Sequence, residues 1–181
     1  MKVALLGIAA WLLLPAACDR PTAAEADPAF QFPPLSGRVV DQADLLSPGQ
    51  ERRLTAASAA VEREVGPQFV IVTVDSLRGH AIEDYGVQLG RTWGIGHPDR
   101  DDGVILLVAP NERKVRIEVG YGLENRVTDP FAAKVLRERV LPRFREDDMA
   151  GGIIAGSEAI VARLRSRQTD REIAVEDRLV S

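Results

Sequence analysis

The chain has one cysteine, two histidines and only 5% aromatic residues among its 181 positions. One cysteine closes no internal disulfide, and together with two histidines set in unrelated sequence it falls short of the ligand count of an ordinary zinc site. A basic excess is also missing. The 23 Lys+Arg stand against 27 Asp+Glu, a formal charge of -4, which argues against a nucleic-acid partner, because such a partner needs a positive field along its contact face. No Gly-x-Ser-x-Gly elbow occurs and no thiol lies in the body of the chain. His80 and His97 sit in glycine-flanked loops with no residue at fixed spacing to orient them, so both are expected as exposed loop residues and no catalytic residue is assigned. What remains, 45% hydrophobic and 28% charged, is the make-up of one soluble globular domain with tails, which rules out a disordered polymer or a polytopic membrane protein.

The N-terminus reads as an address. Lys2, the apolar run Val3 to Leu14 and the small residues that follow give residues 1–17 the order of a secretory signal, too short for the ~20 residues of a membrane span. Cys18 follows Leu14-Pro15-Ala16-Ala17 directly. This resembles the bacterial lipoprotein signal, which implies acylation of Cys18 and attachment of the mature chain to a membrane surface. Pro15 occupies the place where that signal usually has Leu, and Ala24-Glu25-Ala26 offers an ordinary cleavage site that would release a soluble periplasmic or secreted protein. Asp19 stands where a resembling lipoprotein carries a signal for retention at the inner membrane, so the periplasmic face of that membrane is the expected location. Residues 18–36, with Pro21, Pro28, Pro33 and Pro34 and no sustained period, are expected to be an extended linker.

From residue 37 the pattern becomes that of a packed body. Val39-Val40 is a short apolar start. Ser47-Pro48-Gly49-Gln50 opens a helix with a capping box, and Leu54, Ala57, Val61 and Val65 form its stripe. Phe69–Val74 and Val104–Val108 are continuous β-branched and aliphatic runs, the mark of strands buried on both faces. Between them Ile82, Tyr85, Leu89 and Trp93 share one helical face, closed by Gly94-Ile95-Gly96. Residues 114–120 alternate, with Val115, Ile117 and Val119 opposite Arg116 and Glu118, as in a half-exposed edge strand paired as a hairpin with its predecessor. A helix capped by Asp129 should stop at Pro142, and another runs from about Ala150 to Leu164, before a charged tail over residues 166–181. Strands alternating with helices predict an α/β fold, a three-layer α/β/α sandwich around a small mixed sheet over residues 37–165, with its site at strand carboxyl ends.

Read in order, Gly37-Arg38-Val39-Val40-Asp41, Leu45-Leu46-Ser47, Trp93-Gly94-Ile95-Gly96, Asp102-Gly103-Val104 and Gly120-Tyr121-Gly122-Leu123-Glu124 followed by Thr128-Asp129 resemble the TPM domain family. That family includes thylakoid-lumen repair proteins and bacterial envelope proteins. The resemblance implies the same sandwich, divalent-cation binding reported for some members and acid phosphatase activity claimed for some others. Four departures stand out: Asp102 where Asn is common, Asn125 where Gly is common, Pro130 where Ala is common, and no carboxyl-terminal membrane helix.

Hard cations such as Ca2+, or Mg2+ and Mn2+, want several oxygen ligands, and the loop Asp99-Arg100-Asp101-Asp102 can supply them if a second segment closes the shell. Asp101 and Asp102, with Asp129 and Glu124, are the candidate metal ligands, set against the plainer reading of a solvated turn and a helix cap. Gly120-Tyr121-Gly122 lacks the residues that complete a nucleotide fingerprint, and reads as a tight turn with two positive-φ glycines and Tyr121 packed over the sheet. Two functions follow as expectations. One is a membrane-tethered extracytoplasmic module that binds a divalent cation and serves membrane-protein maintenance or partner binding. The other is a metal-dependent acid phosphatase.

Overall fold

A computed structural model describes residues 30–166 of the chain. The predicted signal segment and Cys18, like most of the charged tail, lie outside the described residues. Four strands, β1 (Val39–Asp41), β2 (Gln68–Thr73), β3 (Gly103–Ala109) and β4 (Lys114–Val119), form one sheet in chain order. The first three are parallel, and β4 turns back antiparallel on β3 with Val104 opposite Val119 and Ala109 opposite Lys114. This is the expected mixed sheet with a hairpin at its edge.

The continuous apolar runs are buried on both faces because β3 contributes alternate side chains to two separate cores. Val104, Leu106 and Val108 join Leu54 and Val61 of α1 (Pro48–Val65) and Ile153, Ile160 and Leu164 of α5 (Met149–Arg165). Ile105, Leu107 and Ala109 join Ile82, Tyr85 and Leu89 of α2 (Ile82–Trp93) on the other face. The three-layer sandwich follows. Because β1, β2 and β3 advance in one direction while α1 and α2 cover opposite faces, the two crossovers have opposite hands. One of them is therefore the uncommon left-handed kind.

Local chemistry explains most boundaries. Ser47 caps α1 in a full capping box, its backbone N–H donating to Gln50 Oε1 at 2.7 Å. Gly94 ends α2 in the left-handed region at φ 62°. Two expectations need correction. The cap of α3 (Asp129–Val135) is Thr128, whose hydroxyl accepts from Phe131 N, with Asp129 as the first helical residue. Pro142 does not stop the chain. A wide π turn over Leu136–Val140 leads without a break into α4 (Leu141–Arg145) and carries the helix past Pro142. The end of the segment read as a spacer also belongs to the body. Phe32 meets the Tyr85 ring edge-on at 5.0 Å, Phe30 stacks on His80 at 4.0 Å, and the Tyr85 hydroxyl donates to the Gln31 carbonyl at 3.1 Å. Among the described residues no helix is long and apolar enough to cross a membrane.

Candidate functional site

The acidic loop lies ahead of β3, so it stands at the amino edge of the parallel strands and not at the carboxyl ends where the sequence placed the site. At those carboxyl ends the polar groups hold the fold. Asp41 accepts from Leu46 N at 2.7 Å and from the Thr73 hydroxyl at 2.5 Å, while Glu112 accepts from Ser76 Oγ and Leu77 N, both at 2.8 Å. The amides of Leu77 and Leu46 are satisfied by these carboxylates and the loops are pinned. Asp75 is exposed, and its carbonyl accepts from Asn111.

At the amino edge a tight turn brings Arg100 N and Asp101 N onto the His97 carbonyl, at 3.0 and 2.9 Å, with Asp101 in the left-handed region at φ 47°. That turn folds Asp102 back toward His97. Asp102 Oδ1 accepts from His97 N at 2.9 Å and lies 2.8 Å from His97 Nδ1, while Oδ2 accepts from Arg100 Nε at 2.9 Å. The Asp102 side chain is only 9% exposed, against 34% for His97 and 50% for Arg100. Burial works against the Asp102 anion, but the His97 amide and ring and the Arg100 guanidinium outweigh it and hold the carboxyl below the usual range. His97 is thus oriented, contrary to the sequence expectation. In the neutral ring, an Nδ1–H donated to this carboxylate leaves the lone pair on Nε2. The signal was present as His97 and Asp102 five positions apart, but only the turn between them makes it readable.

The Gly120-Tyr121-Gly122 segment docks against this loop. A Cβ on Gly120 would stand 2.0 Å from the Asp101 carbonyl oxygen, and one on Gly122 would stand 1.8 Å from that of Arg100. These glycines are needed for close backbone approach, not for positive φ, which neither adopts. Their amides are already used, Gly120 N donating to the Gly103 carbonyl at 2.8 Å and Gly122 N to that of Asp101 at 3.2 Å, so neither amide is free to bind an anion. Tyr121 does not pack over the sheet. It stands 79% exposed on this clamped turn, with exposed Asp99, Asp101 and Glu124 among its loop neighbours.

The four candidate metal ligands do not form one shell. Both Asp102 oxygens face nitrogen donors, and Arg100 already supplies the positive charge paired with Oδ2. Asp129 exerts its charge on Arg116, which bonds Glu118 and faces Glu83 at 3.8 Å. Among the described residues no group of three or more His, Cys, Asp or Glu side chains is placed to hold a metal ion. Asp101 and Glu124 are exposed.

Comparison with known proteins agrees with this architecture. The TPM domain model matches residues 39–163, which takes in the whole sheet and all but the last residues of α5. The chain belongs to the TPM domain family. Among solved structures this TPM domain is similar to the N-terminal domain of a protein from P. gingivalis, at 30% identity and TM-score 0.64, covering 74% of this chain and 88% of that one. It also resembles the N-terminal domain of cg2496 from Corynebacterium glutamicum, at 20% identity and TM-score 0.57, over 75% of this chain and 84% of the other. A third likeness is BA42 from Bizionia argentinensis, at 17% identity and TM-score 0.57, over 66% and 81%. The last two share the fold with this TPM domain. No curated protein matches the chain.

Proposed function

We propose that this TPM domain is an extracytoplasmic binding module, anchored to the membrane surface through Cys18, that presents the Tyr121 turn and the neighbouring acidic loop to a membrane-protein partner. The observation that carries the reading is the exposure of Tyr121, 79%, on a turn whose backbone is held by close glycine contacts. A large aromatic kept in water loses apolar stabilisation, and a rigid mount lowers the ordering entropy of binding, which is the pattern of an interface anchor. The envelope address is supported by Lys2, the apolar run to Leu14 and the solitary Cys18. The reading needs no metal ion, since the proposed donors do not converge. Photo-crosslinking from position 121 in intact envelopes tests it. A discrete adduct with a membrane protein is expected, lost from a probe at exposed Arg52, and Tyr121→Ala should abolish co-purification of that protein while leaving the melting temperature unchanged. Equal labelling from both positions would remove Tyr121 from the interface.

His97 favours a second reading, phosphomonoester hydrolysis. Its ring is oriented by a buried carboxylate, and Arg100 has guanidinium N–H groups beyond the one given to Asp102, suited to phosphoryl oxygens. Purified protein assayed on a generic phosphomonoester, with and without Ca2+, Mg2+ or Mn2+, separates the two. The binding reading expects no turnover above that of His97→Ala, whereas hydrolysis would fall about a hundredfold or more in that variant, the usual range for losing an acid–base group.

A further inference from the structure

A second surface has a different character. From Lys134 to Arg145 the chain carries Lys134, Arg137, Arg139, Arg143 and Arg145 against Glu138; Glu146, Asp147 and Asp148 follow directly beside Arg143 and Arg145, so the positive excess is concentrated at Lys134, Arg137 and Arg139. All five cations are exposed. Arg137 meets Glu138 at 3.0 Å and Arg143 meets Asp148 at 3.1 Å, both pairs in water, while the side chains of Lys134, Arg139 and Arg145 have no ion pair or hydrogen bond among the described residues. Lys134, Arg137 and Arg139 also rim a shallow cavity of ≈ 500 Å3 whose apolar lining includes Phe131, Val135 and Ala159. The π turn at Leu136–Val140 lies within this strip and keeps it one continuous helical surface past Pro142.

We propose that this strip is a docking surface for the headgroup layer of an anionic phospholipid bilayer. Cations spaced along a helical surface meet a plane of phosphates without needing a fixed pattern of partners, and the apolar groove accepts the glycerol and upper acyl region. Duplex nucleic acid fits less well, because the remaining surface is strongly acidic and the positive strip is short. The partner is therefore identified by charge complementarity. The inference takes only its setting from the tethered reading, and it uses residues remote in sequence from Tyr121. Failure of one leaves the other standing.

The test is co-sedimentation of residues 30–181, which hold both cores and correspond to the isolated domains solved for relatives in solution. Vesicles of phosphatidylglycerol with phosphatidylethanolamine are compared with vesicles of phosphatidylcholine alone. Binding to the first and not the second is expected, lost at high salt. Lys134→Gln, Arg137→Gln and Arg139→Gln together should weaken it about tenfold or more, at the several-fold per cation that a surface potential supplies. Arg52→Gln with Arg91→Gln, removing exposed cations elsewhere, should leave it within about twofold. If the triple variant melts early, Arg139→Gln alone, at an exposed and unpaired side chain, should still weaken binding about threefold. Equal binding to both vesicles, undiminished binding by the variants, or binding of inorganic phosphate, duplex DNA or an acidic peptide with the vesicles left unbound would overturn the proposal.

Discussion

Asp102 at the amino edge of β3 and Glu118 beneath α2 are both mostly buried and both bonded to an arginine, yet their acidities move in opposite directions. Asp102 receives three N–H groups from two residues and is held below the usual range. Glu118 is pushed up by burial first, with Arg116 offsetting only part and Glu83 adding repulsion. Deeper burial of Glu118, its fewer donors and the like charge of Glu83 together set its sign opposite to that of Asp102, although both contact an arginine. The glycines tell a parallel story. At Gly122 and Gly120 the neighbour is a backbone carbonyl, while at Gly86 it is the Glu118 side chain, 2.7 Å from a built Cβ.

The largest effect expected from breaking this comparison is at the clamped turn. Gly122→Ala should cost about 3 kcal/mol, the upper end for overpacking, because the Arg100 carbonyl cannot retreat without dismantling the Asp102 turn. Gly86→Ala should cost about 1 kcal/mol or less, since Glu118 can swing aside and alanine offsets part of the loss through helix propensity. Paired denaturant titrations check both, and equal losses would mean that the two regions are equally compliant. Next comes Asp102→Ala, expected to lose about 2 kcal/mol by leaving the His97 amide and Arg100 unpartnered. Asp102→Asn retains an acceptor and should lose about half as much. The smallest effect is in pH dependence. Asp102, with a depressed folded-state pKa, contributes stability above its unfolded value of ~4 that is lost as pH falls through the lower folded value. Glu118, with a raised one, contributes stability that is full below ~4 and lost as pH rises through the raised value. Melting curves of Glu118→Gln and of Asp102→Asn should therefore both converge on the parent chain's toward acid pH and separate from it toward neutral, with Glu118→Gln the more stable and Asp102→Asn the less stable at neutral pH.

How much of this was legible before the structure depended on the range of the interaction. The capping box at Ser47, the double burial of Val104–Val108 and the alternation of Val115, Ile117 and Val119 are local patterns, and each appears where the periodicity put it. Gly120-Tyr121-Gly122 was readable as a turn, but its reason was not, because the carbonyl that excludes a Cβ comes from Arg100, some twenty positions away. Pro142 misled because a π turn leaves no trace in a 3.6-residue period. His97 was misjudged because its partner is oriented by a left-handed residue, Asp101, that is not glycine. Asp101, Asp102, Glu124 and Asp129 read as one oxygen-rich set because sequence shows charge but neither the Arg100 that already pairs Asp102 nor the placement of Asp129 near Arg116.

Phe30 and Phe32 have a mechanical consequence. Their rings are wedged into the α2 layer, so a pull arriving from upstream is taken first by that outer layer and only then by β1. The body would hang from its flank, and tension on a leash would peel two aromatic plugs from Tyr85 before it could unzip the sheet.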